Sequence, residues 1–416
     1  MLNLLVIADD LTGALDTAVQ FSAFDVQIRI TLIDQLSDDD FSEGILVVDT
    51  ETRHMTGEDA YRVVYELVER AVEQGVTYIY KKTDSVLRGN SGAELAAVLN
   101  ASRLSKLHFI PAFPRTGRIT LGGIQYVNGI PISESDFRND PVDPVTESSI
   151  KKILRRQTDL PIILIPSGEN IEKLPDGILV YDVQSQQQME MLAGSFNKQN
   201  DFLFAGCAGM AETMPKILEL QVKHTAQETV NKPVIVINGS PNPVSVNQCD
   251  HAESVGIPRF RLMPEQKLNG NWISTPEADN LVLQITRSCA QKMISIVDVN
   301  DSDKGATNRF ALEMGMSSEN VRMHIIELLG RLVKKLLDTD LDCIVFIMGG
   351  DSLLGMVRGL EISRLGVLGQ ISPGVVLSQF YYRGKRRYLL SKSGGFGEPE
   401  LFSHIQRLIN DGGLHV

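Results

Sequence analysis

Two adjacent carboxylates, Asp9 and Asp10, end the apolar run Leu4-Leu5-Val6-Ile7-Ala8, and the turn Leu11-Thr12-Gly13-Ala14 follows at once. In an open α/β sheet, ligands bind beyond the carboxyl ends of the strands, where a loop meets the next helix. Like charges side by side repel and need water, a cation or hydroxyl groups around them. The pair therefore reads as a site for a polyol or a cation, with a helix cap by one of the two Asp residues or by Thr12 as the plainer alternative.

Three more polar segments fall where strand-like runs give way: Thr52-Arg53-His54, the run from Lys81 and Lys82 through Thr83, Asp84, Ser85 and Arg88 to Asn90, and Pro111 to Arg118. A fourth, Tyr126 to Pro131, leads into Glu134, Asp136, Phe137 and Arg138. Any one of these charges fits a solvated surface. Sharing one rim, they form the inventory for a small, hydroxyl-rich anion, because Arg forks a carboxylate and Asp or Asn bonds hydroxyls.

The second half carries glycine at three expected strand ends: Asn238-Gly239-Ser240-Pro241-Asn242, Met348-Gly349-Gly350-Asp351-Ser352 and Lys392-Ser393-Gly394-Gly395-Phe396-Gly397. Glycine lets backbone N–H groups approach an anion, and a helix N-terminus adds favourable partial charge. Three such loops point to a nucleotide phosphate cradle. None matches the Walker lysine loop or the GxGxxG fingerprint. Lys392 reads equally as a phosphate ligand or as a surface lysine beside a turn.

The elements that must hold these residues alternate. Strand-like runs lie near Val26–Leu32, Ile45–Val48, Tyr78–Tyr80, Leu107–Ile110, Ile162–Ile165, Ile178–Val180 and Phe202–Ala205. A helix starts at Thr56, with Asp59 completing a capping box and Tyr61, Val64, Val68 and Val72 on one face. A polar stretch near 221–232 separates this series from a second: Val234–Ile237, Ile294–Val299, a long helix over Ser318–Leu337 with Val321, Ile325, Leu328, Leu332 and Leu336 inward, Ile344–Met348 and Tyr388–Leu390. The alternation predicts an α/β fold of two domains, 1–225 and 226–416, each a mainly parallel sheet flanked by helices.

Bulk properties exclude other classes. The chain has 416 residues, 40 Lys+Arg against 52 Asp+Glu and a formal charge of −12. The acidic balance, with no basic run, argues against nucleic acid as the main partner. Cys207, Cys249, Cys289 and Cys343 have no CxxC spacing, so neither a disulfide framework nor a zinc site is indicated. No apolar stretch approaches the ~18 residues of a membrane span. The N-terminus lacks a signal-peptide n-region, so a cytoplasmic protein is expected.

In this order, ADDLTGA, KKTDSVLRGN, PAFPRTGR with YVNGIP, NGS, MGGDS and KSGGFG resemble the four-carbon acid sugar kinase family over nearly the whole chain. The resemblance implies an ATP- and Mg²⁺-dependent kinase acting on the terminal C4 hydroxyl of a tetronate such as D-threonate, D-erythronate or 3-oxo-tetronate. It implies an acid-sugar-binding N-terminal domain, a nucleotide-binding C-terminal domain and an active site in the cleft between them. On this reading Asp9, Asp10, Arg53, Lys82, Asp84, Ser85 and Arg88 bind substrate, and Asp10 and Asp84 are the catalytic candidates. Ser240, Gly349, Gly350, Asp351, Ser352, Gly394 and Gly395 meet the nucleotide; no metal ligand is assigned, and a homodimer is compatible. Many relatives read GSCS and GGET where this chain has Gly239-Ser240-Pro241-Asn242 and Gly349-Gly350-Asp351-Ser352. The glycines and a short hydroxyl are kept. A kinase for another sugar acid, a non-catalytic sugar-acid sensor, and an aldolase or dehydratase with a metal on Asp9 and Asp10 are the alternatives.

Overall fold

The computed structural model describes residues 3–42, 44–140, 143–169, 174–196, 202–223, 228–339 and 341–416. The chain forms two compact units, Met1–His224 and Thr225–Val416. The boundary expected at 225–226 lies outside the described residues.

In the first unit the strands are β1 (Asn3–Ala8), β2 (Ile28–Leu32), β3 (Gly44–Asp49), β4 (Tyr78–Lys82), β5 (Lys106–Ile110), β6 (Arg118–Leu121), β7 (Ile124–Val127), β8 (Ile130–Pro131), β9 (Ile162–Ile165), β10 (Gly177–Tyr181) and β11 (Leu203–Gly206). Eight of them form one parallel sheet in the order β2-β3-β1-β4-β11-β5-β10-β9. Leu4 to Ala8 are all 0% exposed, as a central strand covered on both faces requires. The chain runs from β1 outward to β2 and β3 and returns to β4 on the other side. The point where strand order reverses, and where such sheets bind ligands, is therefore β1/β4. Register puts Ala8 opposite Asp49 and Ile7 opposite Lys81, so β1, β3 and β4 end side by side. The helix Gly57–Glu73 is capped by Thr56 Oγ1, which accepts from Asp59 N, and buries Val64, Leu67 and Val68 in the core beneath this sheet.

One segment departs from expectation. Tyr126 to Pro131 is not a loop on the rim of the main sheet; it is the turn of β7 and β8 in a small antiparallel sheet, β6-β7-β8. Asn128 and Gly129, at φ 50° and 80°, form the hairpin turn that an Asn-Gly pair favours.

The second unit contains β12 (Thr229–Val230), β13 (Val234–Asn238), β14 (Arg259–Arg261), β15 (Ile294–Asp298), β16 (Ile344–Met348), β17 (Gly366–Ser372), β18 (Val375–Tyr382), β19 (Lys385–Lys392) and β20 (Leu414–His415). Its main sheet runs β14-β15-β13-β16-β19-β18-β17, parallel as far as β19 and then antiparallel. The expected long helix spans Ser318–Leu337, with Ser317 Oγ accepting from Asn320 N. It presses on the helix Gly350–Gly359, where a Cβ on Gly330 would overlap the Gly355 carbonyl, so glycine sets how closely the two helices pack. Among the described residues no helix is long and apolar enough to cross a membrane.

Candidate functional site

The edge next to β1/β4 gathers the predicted charges of the first half. Asp10 caps the helix Leu11–Ala18: its Oδ1 accepts from Gly13 N at 2.8 Å and its Oδ2 from Thr12 Oγ1 at 2.8 Å. Arg53, just beyond β3, donates Nε and Nη2 to the two Asp9 oxygens at 2.8 and 3.0 Å and Nη1 to Asp10 Oδ2 at 2.5 Å. Arg88 grips Asp84 in the same two-pronged way, Nε and Nη2 at 3.0 and 2.9 Å, and reaches Asp140 with Nη1 at 2.9 Å. Its guanidinium lies 5.6 Å from the Phe137 ring centroid. Arg53 Nη2 comes within 3.9 Å of Asp84 Oδ1 and links the two groups. Lys82 is buried and donates Nζ to the Thr83 carbonyl at 2.8 Å. Ser85 is half-buried, with its carbonyl accepting from Gln125 Nε2 at 3.1 Å.

The helix cap of the plainer reading is thus present, made by Asp10. The guanidinium forks expected to hold a ligand carboxylate are instead occupied by protein carboxylates. An ionised carboxylate offers about four acceptor positions. Asp84 Oδ2 takes Val86 N, Arg88 N and Arg88 Nε, while Oδ1 takes Arg88 Nη2 and keeps a position open. Among the described residues Asp10 receives three donors and Asp9 two, so all three carboxylates keep acceptor capacity for hydroxyls.

Burial disfavours the charged form of Asp9, but Arg53, then Lys81 and Lys82, outweigh it and hold the carboxyl below its usual range. For Asp84 burial is again the largest influence, and Arg88 and Arg53 overcome it, leaving the carboxyl well below the carboxylate range. A depressed folded value stabilises the protein above the unfolded carboxyl value of about 3.9 and loses that stability as pH falls towards the folded one. Asp84→Asn breaks the buried pair, so at pH 7 it is expected to cost about 3–5 kcal/mol. Urea melts at pH 7, 5 and 3 should show the gap to wild type constant down to about pH 4 and narrowing below. A gap independent of pH would contradict the pairing.

In the second unit the register row Asp298, Asn238, Met348, Lys392 brings four strand ends level. Strand order reverses between β13 and β16. The three glycine loops meet there. A Cβ on Gly394 would overlap Ser240 Oγ, one on Gly239 would overlap Ser352 Oγ, and one on Gly349 would touch Ser240 at 3.4 Å. Of Gly349, Gly350, Gly394 and Gly395, only Gly349 is in the positive-φ region, at 102°, where it starts the helix Gly350–Gly359. Asp351, in that first turn, accepts from Arg322 Nη1 at 2.8 Å.

Lys392 matches neither expectation. It is 1% exposed, and its Nζ donates to the carbonyls of Ser393, Gly394 and Phe396 at 2.9, 3.1 and 2.9 Å. It is the internal clamp of the KSGGFG loop. A buried set that the glycine motifs reveal only at Asn238 shapes the Ser240 loop. Asp298 Oδ1 accepts from Asn238 Nδ2 and Asn300 Nδ2 at 3.1 and 2.9 Å, and Arg259 holds its other oxygen. Asn300 Nδ2 also reaches the Ser240 carbonyl at 3.0 Å, and Asn238 Oδ1 accepts from Ser240 N at 3.2 Å. A carboxylate and an amide ending β15 and β13 were the available signal.

Two family models match, a sugar-binding N-terminal domain over residues 4–214 and a nucleotide-binding C-terminal domain over 235–402. The chain is similar to the D-threonate kinase of Salmonella typhimurium, 25% identical over 95% of this chain and 96% of that one. It is similar to the D-erythronate kinase of Heliobacterium modesticaldum, 23% identical over 90% and 89%. It is similar to the 3-oxo-tetronate kinase of Brucella melitensis, 25% identical over 98% and 96%. A crystal structure from Salmonella typhimurium LT2 has the same fold, with a TM-score of 0.79 at 20% identity over 98% of this chain and 99% of that one. One from Haemophilus influenzae has a TM-score of 0.69 at 22% identity over 97% and 100%.

Proposed function

The chain belongs to the four-carbon acid sugar kinase family, a phosphotransferase with an alcohol group as acceptor, and on that premise we propose that it transfers the γ-phosphoryl group of ATP to the C4 hydroxyl of a tetronate. D-threonate and D-erythronate are the leading substrates and 3-oxo-tetronate the alternative. The unit Met1–His224 takes the acid and Thr225–Val416 takes ATP.

The observation that carries this reading is the ion-paired set Asp9–Arg53–Asp10 with Asp84–Arg88, built at the β1/β4 reversal of the first unit. Phosphoryl transfer asks the protein mainly for positioning and charge neutralisation. Asp9 and Asp10 accept from the acid's hydroxyls with the positions that Arg53 leaves open, and Asp10 takes the proton of the attacking hydroxyl. Asp84, held by Arg88 and two backbone amides, anchors the Arg88 segment and, through Oδ1, is the second candidate for the proton. Lys82 neutralises the substrate carboxylate, together with Arg118, whose guanidinium lies within electrostatic reach of Asp84 and Arg88. The loops at Ser240, Gly349 to Ser352, and Gly394 and Gly395 receive the phosphates through backbone N–H groups.

Among the described residues no group of three or more His, Cys, Asp or Glu side chains is placed to hold a metal. Mg²⁺ is commonly held by substrate phosphates, water and one or two carboxylates, so in this reading it arrives with ATP. Phosphorus NMR of the product tests the regiochemistry: the account expects a phosphorus signal coupled to the two protons of a CH₂ group, and coupling to a single methine proton would place the phosphate elsewhere.

A further inference from the structure

Beneath the carboxyl edge of the first sheet lies a buried polar group that none of these steps uses. Lys81, in β4, and Glu94, in the first turn of the helix Ser91–Ser102, have side chains 0% and 2% exposed, with Nζ and Oε2 3.1 Å apart. Lys81 Nζ also donates to the carbonyls of Ile7 and Lys82 at 3.3 and 2.7 Å, which uses all three of its protons. Glu94 Oε1 accepts from Thr52 Oγ1. The Thr52 carbonyl is held in turn by Asn90 Nδ2 at 2.9 Å.

Each bond ends close to a residue on the rim. Ile7 stands two positions before Asp9, Thr52 stands directly before Arg53, and Lys82 is itself a rim cation. The three segments belong to β1, the end of β3 and β4, and backbone bonds join the first two again at Arg53 N to Asp9 O, 3.3 Å. A buried ion pair is a weak device for stability, since well-packed apolar side chains of similar volume serve as well or better. What apolar side chains cannot supply is directed bonds to three separate strand ends.

We propose that Lys81 and Glu94 are positioning residues of the acid site, joining the three strand ends so that Asp9, Arg53 and Lys82 hold one fixed arrangement. The inference rests on the function proposed above. Neither residue touches substrate, and both act through the backbone and through Thr52.

Removing one partner strands a buried charge, so the informative variant replaces both. Lys81→Met/Glu94→Leu is expected to melt near the wild-type temperature. Its kcat on the four-carbon acid should fall about 10- to 100-fold, because displacing a catalytic group by about 1 Å is enough for such a loss. KM for ATP should stay unchanged. Lys81→Met/Glu94→Gln keeps an acceptor for Thr52 and should recover part of the lost kcat, which a merely structural role would not produce. Should the apolar pair fail to fold, Thr52→Val cuts the link to the Arg53 segment while leaving the ion pair, and it should lower kcat in the same direction. Wild-type kcat in the folded double variant, or in Thr52→Val, overturns the inference. Absence of turnover by the wild-type protein on any four-carbon acid overturns the function itself, and the wild-type control reveals it before any variant is compared.

Discussion

Asp10→Asn is expected to lower kcat on the four-carbon acid by about 10²- to 10⁴-fold, the range for loss of a positioned proton acceptor, while the protein stays folded. The fold should survive because Asn caps a helix about as well as Asp, so the bond from Gly13 N to Oδ1 can persist. What disappears is the charge that meets Arg53 Nη1 and the acceptor left for a hydroxyl. At about 1.36 kcal/mol per decade, the change amounts to roughly 3–5 kcal/mol of transition-state stabilisation. A folded Asp10→Asn protein with wild-type kcat would remove Asp10 from the chemistry.

Lys392→Met should give the second large effect, on the other substrate. The substitution keeps a long apolar stem and deletes the ammonium that three loop carbonyls share. Gly394 O retains Ser245 Oγ, and Phe396 O retains Gln248 Nε2. Ser393 O retains the longer bond from Phe396 N at 3.4 Å, so what is lost is the charged donor that ties the three carbonyls together. Because Gly394 packs against Ser240, loosening the loop disturbs the neighbouring glycine turn as well. The dissociation constant for ATP should rise about 100-fold, equivalent to about 2.7 kcal/mol. The affinity for the sugar acid should stay within a factor of about three of wild type, because the acid is assigned to the other unit. Calorimetric titration with each ligand separately reads both values. Equal weakening of the two ligands would contradict the division of labour.

The sequence was most legible where burial is uniform along an element. Leu4 to Ala8 and Ile344 to Met348 read as strands because central parallel strands are apolar on both faces. The helix Ser318–Leu337 is legible because a 3.6-residue period with a capped start persists over 20 residues. Pairing was harder to read. Arg53 and Arg88 stand out as cations, but that Arg53 is forked by Asp9 and Asp10 depends on partners more than 40 residues away. Lys392 looks like a solvated lysine because lysine is rarely fully buried. Only the fold brings three carbonyls around its ammonium. The half-buried β17 and the hairpin β17–β18 show neither a long apolar run nor a strict alternation, so the antiparallel edge of the second sheet was not visible. The Asn128-Gly129 hairpin, by contrast, carries its own local signal, which the polar residues around it mask by resembling a rim loop.

ADP release by the wild-type protein tests the central claim most directly, measured in a coupled assay with ATP and Mg²⁺ across D-threonate, D-erythronate, 3-oxo-tetronate and sugar acids of other chain lengths. The account predicts ADP formation that depends on the added acid, with a four-carbon acid giving the highest kcat/KM. ADP release indifferent to the acid, or an acid that raises the melting temperature without any turnover, would contradict it and leave the chain a sugar-acid sensor on a kinase fold.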